Sequence, residues 1–210
     1  FNFKLDIQRK TQAFPNSYLT TELSRRAIEF VRRHRDKPFF LHLAHYAPHR
    51  PIEAPENHIQ PYLDAGLNRE TATVYAMIEM MDKGIGELLA ELDALKLRER
   101  TLVIFASDNG PDPLVEKRFN LNLRGRKYEV HEGGIRVPMF WQWQGCFAPS
   151  ENDTLMDFTD VLPTLVELCD LNWQPKLPLD GESIANVFGK GNSGSDRPRF
   201  WQWNRAEPRY

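Results

Sequence analysis

Three stretches of the 210-residue sequence place reactive side chains at spacings that could do chemistry. In "SDNGP" (107–111), the apolar run "TLVIFA" delivers Asp108 and Asn109, two hard oxygen donors of the kind Ca²⁺ or Mg²⁺ takes. The same pair could instead close an Asx turn on the local backbone. His49 stands between Pro48 and Pro51, so a stiff backbone can hold its imidazole in one place as a hydrogen-bond donor or proton shuttle; it could also be an ordinary surface histidine. Lys127 follows "LRGR" in a glycine-punctuated loop, where its ammonium could face an oxyanion or simply be solvated. Further along, Gly133 and Gly134 read as a source of backbone freedom, and Glu132 with Arg136 as a structural ion pair.

The elements that must position these groups alternate. After an irregular start, Thr20 or Thr21 can cap a helix with apolar Leu23, Ala27, Ile28 and Val31 at helical spacing, closing on the basic run Arg32 to Arg35. "FFLHLA" (Phe39 to Ala44) reads as a buried strand that enters the proline-rich loop of His49. From Arg69 to Leu95, Val74, Met77, Ile78, Met81, Ile85, Leu88, Leu89, Leu92 and Leu95 form one apolar stripe, which predicts a long amphipathic helix with its methionines in the core. "TLVIFA" is a second strand and "IRVPMFWQW" a third apolar run. "TDVLPTLVELCDL" is a last helix capped by Thr159 or Asp160, burying Leu162, Leu165 and Val166. This order predicts an α/β fold: a mixed, mostly parallel sheet with helices on both faces, whose ligands bind outside the strand ends. All three candidate loops are expected at one sheet edge.

Composition narrows the partners. A formal charge of −2 and scattered Lys and Arg residues offer no basic stripe for nucleic acid. No apolar run approaches the roughly 18 residues of a membrane span. Cys146 and Cys169 lack neighbouring Cys or His at zinc-ligand spacing and read as ordinary thiols.

Taken together, the three loops resemble the sulfatase family. "FFLHLAHYAPHRP" is similar to that family's strand and A-P-H-x-P loop. "YAMIEMMDKGIGELLAELDALKLRERTLVIFASDNGP" resembles its long helix and S-D-N-G-P metal loop. "LRGRKYEVHEGGIRVP" resembles its L-R-x-x-K and E-G-G-x-R-x-P segment, and "DFTDVLPTLVEL" its D-x-x-P-T-L helix. The resemblance implies an alkaline phosphatase-like fold and hydrolysis of a small-molecule or carbohydrate sulfate ester. It implies that Asp108 and Asn109 are ligands of a Ca²⁺ ion, with Mg²⁺ as the alternative, and that His49 and Lys127 contact the sulfate and its bridging oxygen. The nucleophile it implies is a formylglycine made from C-x-P-x-R or S-x-P-x-R.

That last motif is not in the sequence. "CFAPS" at Cys146 places its proline one residue late, and no two aspartates are adjacent, so the family's Asp pair is missing too. With Phe1 in first position, the chain reads as an interior piece. Residues 1–190 are expected to be the C-terminal half of a catalytic domain, and 191–210 a linker and the start of a small subdomain. A phosphodiesterase or phosphonate hydrolase of the same superfamily is the alternative, although Asn109 favours sulfate; an inactive fragment or pseudoenzyme is another. Sulfatases are mostly periplasmic, secreted or lysosomal, and the resemblance extends that expectation to the parent protein.

Overall fold

The computed structural model describes residues 1–115, 119–189 and 197–202. Where the sequence reads as irregular, the chain opens with a hairpin, β1 (Asn2–Ile7) and β2 (Lys10–Pro15), in antiparallel register from Asn2 opposite Pro15 to Ile7 opposite Lys10. Its two turn residues, Gln8 and Arg9, have φ of 50° and 66°, the left-handed geometry of a twist-matched hairpin turn. Neither is the Gly or Asn that would advertise such a turn.

Helix α1 (Leu19–His34) has Tyr18 at its N-cap without a side-chain cap bond, so neither Thr20 nor Thr21 caps it. Thr20 is buried inside the first turn. Its basic last turn is present as read, Arg32, Arg33 and His34 lying near the negative end of the helix dipole. Helix α2 (Glu56–Asp64) and the long helix α3 (Arg69–Ala94) follow. Asn68 caps α3, its side chain accepting the Thr71 N–H at 2.9 Å. The α3 stripe splits between two cores. Ala72, Ala76 and Met77 pack with Ile59 of α2 and with Ala47 and Ala54 of the proline-rich loop. Leu92 packs with Val31 of α1 and Leu97, against Phe39, Leu41 and Val103. Ile78 falls outside both and is exposed. Helices α1 and α3 cross closely at Gly84, where a Cβ would stand 2.1 Å from Ser24 Oγ; only glycine fits.

Strand β3 (Val103–Ala106) pairs antiparallel with β4 (Met139–Gln142), Ala106 opposite Met139. The predicted strand Phe39 to Ala44 alternates half-buried and exposed residues as an extended segment should, yet it joins no ladder among the described residues. Both described ladders are antiparallel.

A short helix α4 (Glu132–Ile135) precedes β4, and α5 (Val161–Leu168) follows a 3₁₀ turn at Phe158–Asp160. Here the sequence reading needs correction. Asp160 does stand at the N-cap of α5 but makes no side-chain cap bond to it; Asp157 caps the 3₁₀ turn ahead, in a capping box with Asp160. Leu162 is exposed, whereas Thr164 is wholly buried. Asp160, also fully buried, accepts the Asp157 and Glu182 amides at 2.9 Å each and pairs with Arg197 (3.1 Å) and Arg199 (2.6 Å). Much of the expected linker and subdomain, residues 191–196 and 203–210, lies outside the described residues. No helix of the structure is long and apolar enough to cross a membrane among the residues described. Cys146 and Cys169 are exposed free thiols.

Candidate functional site

An antiparallel pair puts the carboxyl end of one strand beside the amino end of the other. The loop leaving β3 and the loop entering β4 therefore share one edge, and the ladder continues past β3 through the Ser107 N–H to the Pro138 carbonyl (3.2 Å). Beyond it, the Gly110 N–H donates to the Gly134 carbonyl at 2.8 Å. A Cβ on Gly110 would lie 2.0 Å from the Gly133 carbonyl oxygen, so the "SDNGP" backbone rests directly on "EGG". Cβ atoms on Gly133 and Gly134 would likewise meet the carbonyl oxygens of Gly125 (2.3 Å) and Glu129 (2.1 Å). Positive φ is found at Gly125 (96°) and not at Gly133 or Gly134. These two glycines therefore serve close backbone approach, which corrects the expectation of conformational freedom. Glu132 and Arg136 do face each other at 3.8 Å, both exposed, a spacing that contributes little.

The Lys127 N–H donates to the Pro111 carbonyl at 3.0 Å, which stitches the lysine loop to the end of "SDNGP". The Lys127 ammonium lies 5.5 Å from the centre of the Tyr128 ring. From the third loop, the Arg50 guanidinium reaches Asp112 at 2.5 Å. The structure thus joins the loops that carry His49, Asp108, Asn109 and Lys127, the lysine loop through a backbone hydrogen bond and the histidine loop through a side-chain ion pair. Partial burial pushes the Asp112 carboxyl up. Hydrogen bonds from Arg50 and the Leu114 amide, with the charges of Arg50 and Lys127, outweigh that and hold it below the ordinary aspartate value.

His49 is oriented locally. Its Nδ1 lies 2.8 Å from the Arg50 carbonyl oxygen, which can only accept, so Nδ1 carries a proton and Nε2 is the nitrogen left for a ligand. The Tyr46 hydroxyl donates to the same carbonyl, and its ring meets the imidazole edge-on at 5.3 Å. Ala47, buried in the core with α2 and α3, anchors the loop one residue before Pro48.

The Asx-turn alternative is not realised: Ser107 Oγ donates to the Asn109 carbonyl at 3.2 Å, and no hydrogen bond joins the Asp108 or Asn109 side chain to a described residue. Asp108 is exposed and Asn109 half-buried. Among the described residues no cluster of three or more His, Cys, Asp or Glu could hold a metal. The two donors fit Ca²⁺ chemically as part of its usual six to eight oxygens. Arg50, Asp112 and Tyr46 escaped the sequence reading. Adjacency to His49 and to "SDNGP" marked them, but a pairing across 62 residues leaves no local pattern.

The sulfatase family model matches residues 2–171. The chain belongs to the sulfatase family. This sulfatase chain is 31% identical over 172 residues to the uncharacterized sulfatase YdeN of Escherichia coli, an alignment covering 80% of the chain and 30% of that protein. It is 33% identical over 191 residues to the steryl-sulfatase of Rattus norvegicus, covering 83% and 31%. It spans less than a third of either relative. In the crystal structure of Ps i-CgsB in complex with k-i-k-neocarrahexaose, the matching region superposes with a TM-score of 0.74 at 30% identity, covering 83% of this chain and 40% of that one. The sulfatase chain accordingly has the alkaline phosphatase-like α/β fold and holds a part of it.

Proposed function

We propose that the chain supplies the sulfate-contacting side and two metal ligands of a sulfatase that hydrolyses sulfate esters, ROSO₃⁻ + H₂O → ROH + HSO₄⁻. The observation that carries this reading is the convergence of the His49, "SDNGP" and Lys127 loops through Arg50–Asp112 and Lys127–Pro111. Family membership supplies the reaction class.

Cleaving the ester puts negative charge on the bridging oxygen as the alcohol leaves. Protonated His49, with Nδ1 held by the Arg50 carbonyl, presents Nε2–H as the donor to that oxygen. The Lys127 ammonium neutralises sulfate oxygens without taking part in proton transfer. Each such group, acting where charge develops, supplies on the order of 3 kcal/mol. Asp108 and Asn109 would hold Ca²⁺, which when bound polarises the sulfate as a Lewis acid. The formylglycine nucleophile and the remaining metal ligands are proposed to come from segments of the parent protein beyond this sequence. The substrate is a small-molecule or carbohydrate sulfate ester.

The test is turnover of an aryl sulfate and of the matching aryl phosphate by the full-length parent. Sulfate is expected to be the better substrate, and His49→Ala and Lys127→Ala are each expected to lower kcat by about a hundredfold or more. Preference for phosphate would shift the reading to the phosphodiesterase and phosphonate hydrolase branch. Unchanged turnover in both variants would remove these residues from the reaction.

A further inference from the structure

Nothing in the proposed reaction uses Asp112, yet its side chain ties the His49 loop to the end of "SDNGP", next to the Pro111 carbonyl that holds the Lys127 loop. Its Oδ1 takes the Arg50 Nη2 at 2.5 Å and the Leu114 N–H at 2.8 Å. Pro111, the residue before it, takes the Lys127 N–H at 3.0 Å. Arg50 directly follows His49, and its carbonyl accepts from the His49 Nδ1–H. The Arg50–Asp112 pair therefore tethers the residue whose carbonyl orients the imidazole. On the far side, the Asp112 carboxylate also faces the Lys127 charge, which helps to keep it ionised.

We propose that Asp112 is a positioning residue, whose carboxylate, acting through Arg50, fixes the loop that carries His49 against the loop that carries Lys127. The inference rests on the reading of His49 and Lys127 as the sulfate-contacting pair. Physically, a carboxylate beside an anion site is unfavourable to the anion unless it does something else. The something else here is geometry: misplacing a proton donor by about an ångström can cost a hundredfold in rate. Arg50 and Asp112 are both partly exposed, so their ion pair is not what holds the fold together.

The two possible roles of Asp112 differ in sign. As background charge alone, Asp112→Asn would remove repulsion and tighten sulfate binding. As a positioning residue, it would loosen it. In the full-length protein we expect Asp112→Asn and Arg50→Gln each to lower kcat/KM for an aryl sulfate by about tenfold and to weaken inhibition by inorganic sulfate. The double variant is expected to be no worse than either single one, and Asp112→Glu to recover most of the loss. Urea midpoints confirm that each variant is folded. Tighter sulfate inhibition in Asp112→Asn, or losses that multiply in the double variant, would overturn the proposal while leaving His49 and Lys127 in place. If His49→Ala and Lys127→Ala leave turnover intact, the reading of the site falls, and this inference with it.

Discussion

His45 lies four residues before His49, and its environment makes the approach to the site sensitive to acid. Neither ring nitrogen has a hydrogen-bond partner among the described residues, and both are shielded from solvent. Burial pushes the imidazole below the ordinary histidine value of about 6.5. The unfolded chain then takes up a proton at a pH where the folded chain resists it. Stability from this group is complete above about pH 6.5 and is lost as pH falls toward the depressed folded value. Urea midpoints at pH 7 and pH 5 should show this loss, and His45→Phe should flatten it. Asp112 and Glu22 are also depressed, but as carboxylates they titrate lower and fall outside that window. An identical pH slope in the variant would assign the acid sensitivity elsewhere.

At the scale of elements, the buried Asp160 makes the most consequential junction. Its carboxylate joins the start of α5 to the Glu182 amide and to Arg197 and Arg199, and Arg199 is itself 7% exposed. Removing one member of a buried pair strands the other charge, at a cost of about 3–5 kcal/mol. Asp160→Ala should lower stability by that amount and open the segment beyond residue 196 to proteolysis. A loss under about 1 kcal/mol would show that water compensates the arginines. The sequence disclosed Asp160 only as a possible cap, because a short polar residue before a helix looks the same whether it serves its own helix or a distant arginine. Periodicity did reveal α1 and α3, since a stripe of buried residues repeats along one helix, and it found α5 although Leu162 there is exposed. It could not reveal the β1–β2 hairpin, whose turn uses Gln8 and Arg9, nor that Phe39 to Ala44 joins no ladder among the described residues. The site was legible in the same uneven way. His49, Asp108, Asn109 and Lys127 stood out through proline, glycine and strand-end context. Arg50 and Asp112, ordinary charges until the fold joins them, did not.

For the whole molecule, the distribution of apolar surface agrees with a chain that is part of a larger sheet. Phe40 is 77% exposed on an extended segment whose other face, Phe39 and Leu41, packs against Val31 and Leu92, and Phe140 is 65% exposed on a strand of the β3–β4 ladder; helices on both sides of an α/β sheet would cover such residues. The chemistry divides along the same line. On the proposed reading the 210 residues supply a proton donor, an ammonium and two metal ligands; they contain no C-x-P-x-R or S-x-P-x-R and no adjacent aspartates. Two oxygen donors of a usual six to eight bind Ca²⁺ weakly, and without a nucleophile the remaining groups can stabilise a departing alcohol that nothing displaces. These residues by themselves should therefore turn over no aryl sulfate at any Ca²⁺ concentration, whereas the full-length parent should. The comparison is made on equal molar amounts of the two proteins, with His49→Ala as the control for contaminating activity. Turnover by the 210 residues that disappears in His49→Ala would mean that the chain contains a nucleophile of its own, and the division of the site between segments would have to be abandoned.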